Sequence, residues 1–93
     1  MKKMKLNIIK AHIIVILSSS EEWKTVYEIF KEMKGKYAVN TIRKHLVELE
    51  ALDIVEKKTL PQRGGILAYR LKNPTEELLE KAKIVVQAEE VKL

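Results

Sequence analysis

Asn40, Arg43 and Lys44 follow one another within a segment whose remaining positions are largely apolar. Asparagine carries a donor and an acceptor side by side, arginine a planar fork of donors, and lysine a compact point charge. Together on one helix face, they suit a partner that presents flat hydrogen-bonding edges flanked by anions. A second set lies downstream, where Lys57, Lys58, Gln62 and Arg63 surround the turn Pro61-Gln62-Arg63-Gly64-Gly65, and Arg70 follows. Lys36 precedes the first set.

Other chemistries find little to use. Cysteine is absent, which excludes disulfides, thiolate metal sites and thiol catalysis. The two histidines, His12 and His45, fall in different segments, and with scattered acids they make a poor zinc site. No Ser–His–carboxylate set, phosphate-binding glycine loop or paired buried carboxylates can be placed. We therefore expect no enzyme activity, no cofactor and no metal.

The net charge is +5 over 93 residues, and its distribution matters more than its sum. The first twenty residues carry Lys2, Lys3, Lys5 and Lys10 with no acid, and residues 34–72 carry nine cations against Glu48, Glu50, Asp53 and Glu56. Segments 21–33 and 73–93 are each net acidic. Cationic charge concentrated on a small domain suits a polyanionic partner, or equally a plain solvated basic surface. The apolar run Ile13 to Leu17 is too short for a secretory core or a membrane span, so a cytoplasmic protein is expected, with no membrane partner.

Glycine and proline fall only between periodic segments. Residues 3–18 read as a helix with the stripe Leu6, Ile9, Ile13, Ile16 and Leu17, broadened by Ile8 and Val15. Residues 22–24 suggest a very short strand. Thr25-Val26-Tyr27-Glu28 has the form of a capping box and opens a second helix that turns Val26, Ile29, Phe30 and Met33 inward and ends on Gly35 in a left-handed conformation. A third helix runs over 39–52 with Ile42, Leu46 and Leu49 on one face. Residues 54–60 and 66–72 form a β-hairpin around the glycine-containing turn. Asn73-Pro74-Thr75-Glu76 starts a fourth helix, with Asn73 as its cap. Trp23, Tyr27 and Tyr37 are expected in the core.

The order helix, short strand, helix, helix, hairpin, helix is a mainly α, α+β arrangement: a winged helix-turn-helix with three helices, a β-hairpin wing and an additional C-terminal helix. From Tyr37 to Val55 the chain resembles the recognition helix and first wing strand of bacterial and archaeal winged-helix regulators of the arsenic-repressor and PadR types. Their pattern Thr-Val-x-x-His-Leu-x-x-Leu followed by Gly-Leu-Val falls here on Thr41, Ile42, His45, Leu46 and Leu49, then Asp53, Ile54 and Val55. Asp53 replaces the glycine, and Ala38 stands where many members have a capping serine. Small winged-helix proteins of archaeal viruses share the size and layout.

The resemblance implies sequence-specific binding to double-stranded DNA, with the third helix in the major groove and the wing, 60–65, at the minor groove. Asn40 would then pair with adenine and Arg43 with guanine, while Lys44 and Lys36 meet phosphate and Val39 a thymine methyl. Val47 completes that face, Thr41 either meets phosphate or packs locally, and the wing would add Lys57, Lys58, Gln62, Arg63 and Gly64. Transcriptional repression by occlusion is the expected action. The alternative is a winged helix used as a protein-interaction module within a transcription or chromatin complex, which an apolar third-helix surface would favour. No residues point to a small-molecule effector, although a pocket between protomers is left open.

Residues 1–72 thus form the expected DNA-binding unit, and 73–93 a dimerisation helix within the same compact domain. Leu78, Ala82, Val85 and Glu89 follow the four-three-four spacing of a helix–helix seam, and Leu79 and Val86 widen it. With Ile8 and Val15 left over on the first helix, a two-fold homodimer would cover both surpluses.

Overall fold

The computed structural model describes residues 6–91. The elements run α1 (Ile8–Ser18), β1 (Lys24–Thr25), α2 (Val26–Glu32), α3 (Val39–Ala51), β2 (Val55–Leu60), a 3-10 turn (Pro61–Arg63), β3 (Ile66–Leu71) and α4 (Glu76–Val91). This is the mainly α winged helix expected from the sequence, with a three-stranded antiparallel sheet in the order β1-β3-β2.

Each helix begins where a side chain can take up its free amides, with one exception. Asn7 is extended and its side chain accepts from the Lys10 amide at 2.8 Å, so α1 starts at Ile8 rather than further upstream. Thr25 and Glu28 form both bonds of the capping box, at 3.2 and 2.8 Å. Losing such a cap costs about 1 kcal/mol. Ala38 offers no side-chain cap to α3. At α4 the cap is Thr75, whose hydroxyl accepts from the Leu78 amide at 3.1 Å, while Asn73 turns left-handed at φ 45°. Thr75 displaces the expected Asn73 because a hydroxyl three residues ahead of an amide reaches it directly.

The helix ends also differ in detail. The Gly35 amide reaches the Phe30 carbonyl and the Lys34 amide reaches Lys31, which places Lys34 (φ 56°), not Gly35, at the first left-handed position. Gly35 follows at φ 71°. The same double bond closes α3 through Ile54 to Leu49 and Asp53 to Glu50, with Asp53 at φ 64° where the related pattern has glycine. Lys72 Nζ holds the Asp53 carboxylate at 2.8 Å.

The wing is a hairpin in register from Val55 opposite Leu71 to Leu60 opposite Ile66, and β1 adds to its far edge through Lys24–Tyr69 and Thr25–Ala68. The core gathers Ile13, Ile14 and Leu17 of α1, Ile29 of α2, Ile42, Leu46 and Leu49 of α3, and Val55, Tyr69 and Leu71 of the sheet. The central face of α1 is therefore Lys10, Ala11, Ile13, Ile14 and Leu17, while Leu6, Ile8, Ile9, Val15 and Ile16 flank it half-buried. An apolar surround is what a helix packed on two sides requires. One side meets α3; the other meets α4, which lays Ala82 and Val86 into the same core.

Candidate nucleic-acid interface

Because α3 commits Ile42, Leu46 and Leu49 to the core, its pitch turns Asn40, Arg43, Lys44 and Val47 outward, and all four are exposed. Arg43 Nη1 donates to the Asn40 side-chain oxygen at 2.8 Å. Both carboxylates of α3 are engaged by lysines from other elements. Glu48 accepts from Lys10 of α1 at 2.6 Å, and Glu50 pairs with Lys57 of β2 at 3.2 Å. The exposed face of α3 therefore presents one amide, two cations and one valine, with no unpaired acid. Val39, expected on this face, is half-buried and packs against the core, and Thr41, left open between phosphate and packing, is half-buried as well. Lys36 is exposed ahead of α3, with Nζ 5.8 Å from the Tyr37 ring centre.

Behind the helix, Lys10 Nζ lies 2.9 Å from His45 Nδ1 as well as 2.6 Å from Glu48. The Glu48 carboxylate also lies 3.3 Å from Nδ1, so that nitrogen accepts from the ammonium in a neutral ring with its proton on Nε2 and can donate to the carboxylate when it carries a proton. Burial pushes the His45 pKa down from its ordinary value, and the Lys10 charge adds to that. The Lys10 hydrogen bond holds the Glu48 carboxyl below its usual range. His45 thus helps join α3 to α1. His12 sits half-buried, edge-on to Tyr37 at 6.1 Å.

The wing residues divide by face. Lys57 points to Glu50 of α3, whereas Lys58 lies on the opposite side of the sheet, 4.6 Å from the Trp23 ring centre. Arg70 stacks on the same ring at 4.4 Å and pairs with Glu56 at 3.0 Å. Trp23 is accordingly a half-buried platform for two cations, not a core residue. Gln62 and Arg63 are exposed at the tip, where Gly64 and Gly65 take φ 74° and 81°. Arg63 Nη1 comes within 3.9 Å of Glu28 at the start of α2. The Thr25 amide donates to that carboxylate and is the main cause of its lowered pKa, to which Arg63 contributes.

Sequence reasoning missed the cleft between the helices and the wing. Val26, Tyr27, Arg43, Ile66, Leu67 and Tyr69 line an open groove of about 260 Å³. Tyr27 is 52% exposed, not in the core, and Ile66 and Leu67 are 40% exposed each. Tyr27 lies off the Val26, Ile29, Met33 stripe of α2, and that offset was the available signal.

Elsewhere, the single chain already buries Ala82 and Val86, two residues expected at a dimer seam. Ile8, Val15, Leu78, Leu79 and Val85 are half-buried against the core, and among the described residues α4 leaves the large apolar side chain of Ile84 59% exposed. An open hollow of about 520 Å³ near the start of α4 is lined in part by Ser18, Ser20, Glu21, Glu56 and Arg70. Lys2, Lys3 and Lys5 lie outside the described residues. Among the described residues no helix is long and apolar enough to cross a membrane, and no group of three His, Asp or Glu could hold a metal ion.

No protein-family model matches the chain, and no curated protein is significantly similar to it in sequence. Solved structures do match its fold. A mutant form of Lactococcus lactis ZitR superposes with a TM-score of 0.66 at 20% identity, over 99% of this chain and 58% of that one. Diamide-treated YodB from B. subtilis superposes with a TM-score of 0.59 at 25% identity, over 95% of this chain and 77% of that one. The chain thus spans little more than half the length of ZitR.

Proposed function

We propose that this chain is a sequence-specific double-stranded DNA-binding transcriptional regulator, acting as a repressor in a homodimer, with α3 in the major groove and the wing at the minor groove. The observation that carries the reading is the outer face of α3. Its acids are bound by Lys10 and Lys57, and what remains exposed is Asn40, Arg43, Lys44 and Val47. Amide and guanidinium groups suit the hydrogen-bonding edges of bases, and an unopposed lysine suits phosphate. The shared fold with ZitR and YodB, both winged-helix transcription regulators, supports the same reading.

The homodimer is proposed through α4, where Ile84 and the half-buried Leu78, Leu79 and Val85 supply apolar surface, with Ile8 and Val15 of α1 beside them. A two-fold axis there would set two α3 helices about one DNA turn apart, roughly 34 Å, and require a palindromic site. Selection from random-sequence duplexes tests the reading: the protein is expected to enrich a palindromic sequence. Recovery of duplexes with no shared sequence would count against specific recognition and favour a protein-interaction role for the same surface.

A further inference from the structure

We infer that the groove between α2, α3 and the wing seats the sugar–phosphate strand of the DNA, with Tyr27, Ile66 and Leu67 as contacts not used in reading bases. The inference rests on the DNA-binding reading above and deepens it. If α3 occupies the major groove and the wing tip the adjoining minor groove, one backbone strand separates the two grooves. That strand must cross the surface between α3 and the wing. The surface there is the groove lined by Val26, Tyr27, Arg43, Ile66, Leu67 and Tyr69.

Its chemistry fits a deoxyribose–phosphate. Tyr27, Ile66 and Leu67 are large apolar side chains left substantially exposed, and they share this groove. A deoxyribose ring offers an apolar face of matching character. Tyr27 also brings a hydroxyl, which can donate to a phosphate oxygen. Arg43 stands on the α3 side as the charged side chain among those that line the groove. Beyond it, Arg63 stands at the wing tip, largely exposed and 3.9 Å from Glu28. The groove is therefore continuous with the proposed interface on both sides.

Contacts to the backbone carry no sequence information, and this gives the test. Binding of Tyr27→Phe and Leu67→Ser is measured by gel shift on a duplex selected by the protein and on a random duplex, with Lys44→Ala as a reference. Tyr27→Phe is expected to weaken both duplexes by about fivefold, the worth of one net hydrogen bond. Leu67→Ser should weaken both by a similar factor. Neither removes a charge, so neither should change the slope of affinity against salt. Melting curves report whether each variant is folded, and if Leu67→Ser is not, Tyr27→Phe decides alone. Unchanged affinity of Tyr27→Phe while Lys44→Ala still weakens binding overturns the inference, leaves the DNA-binding reading standing and turns the groove over to a protein partner. A loss confined to the selected duplex also overturns it, because that is base reading. Failure of the unsubstituted protein to bind any duplex removes the reading and the inference together.

Discussion

Arg43 and Asn40, one turn apart on the exposed face of α3, are hydrogen-bonded to each other at 2.8 Å. The bond limits the freedom of a long side chain, and an arginine held in advance loses less entropy when it meets a base. It also makes the two residues a coupled unit. Asn40→Ala and Arg43→Ala should each relax preference at particular base pairs by roughly 1–3 kcal/mol. The double variant should lose less than the sum, as residues in one network do. Affinities of the four proteins on selected and point-altered duplexes measure this; strict additivity would show that the pair acts as two independent readers.

At the wing tip, Arg63 and Glu28 are 3.9 Å apart and both largely exposed, so their attraction contributes little to stability. Arg63→Ala should therefore weaken DNA binding with almost no change in melting temperature. A fall in melting temperature with unchanged affinity would assign Arg63 to holding the wing against α2 instead.

The Lys10–His45–Glu48 cluster makes stability depend on pH. Burial, and then Lys10, lower the His45 pKa below its ordinary 6.5, so the unfolded chain takes up this proton before the folded one does. The contribution is present above that ordinary value and is lost as pH falls through the lower, folded one. Glu48, lowered by its hydrogen bond from Lys10, adds a loss of the same sign at more acid pH. Melting temperature should fall between about pH 7.5 and about pH 5.5. His45→Gln, which can still accept from Lys10 but cannot titrate, should fall less. An equal fall in both proteins would place the effect elsewhere.

For the dimer, Ile84 and Ala82 separate surface from core. Ile84 is an exposed large apolar residue of α4, whereas Ala82 is fully buried within one chain. Ile84→Glu should halve the mass seen by light scattering at micromolar protein and leave the fold intact. Ala82→Glu should unfold the chain by burying a charge. A monomeric mass for the unsubstituted protein would remove the dimer and the palindrome.

Local periodicity carries most of the fold. Ile42, Leu46 and Leu49 recur at helical spacing and orient α3, and the Thr25–Glu28 capping box and the Pro61–Gly65 turn are short-range patterns that bond as their residue types require. What stays hidden is either locally ambiguous or distant in sequence. Asn73-Pro74-Thr75 offers two competing caps, and Thr75 takes the role. Lys10 meets Glu48 across 38 positions, a pairing that no window of sequence reveals. Lys57 and Lys58 look like one basic pair, yet strand alternation sends them to opposite faces of the sheet. Tyr27 lies outside the core although aromatic residues are usually well buried, because its offset from the apolar stripe of α2 turns it toward solvent.

The central claim, that the outer face of α3 binds DNA by sequence, is tested most directly by titrating a fluorescent selected duplex over a series of salt concentrations. Affinity should fall linearly on a log–log scale, exceed that for random duplex by roughly a thousandfold or more, and show a slope reduced by about one in Lys44→Ala. Equal affinity for selected and random duplex, or a Lys44→Ala titration superimposable on that of the unsubstituted protein, would contradict it.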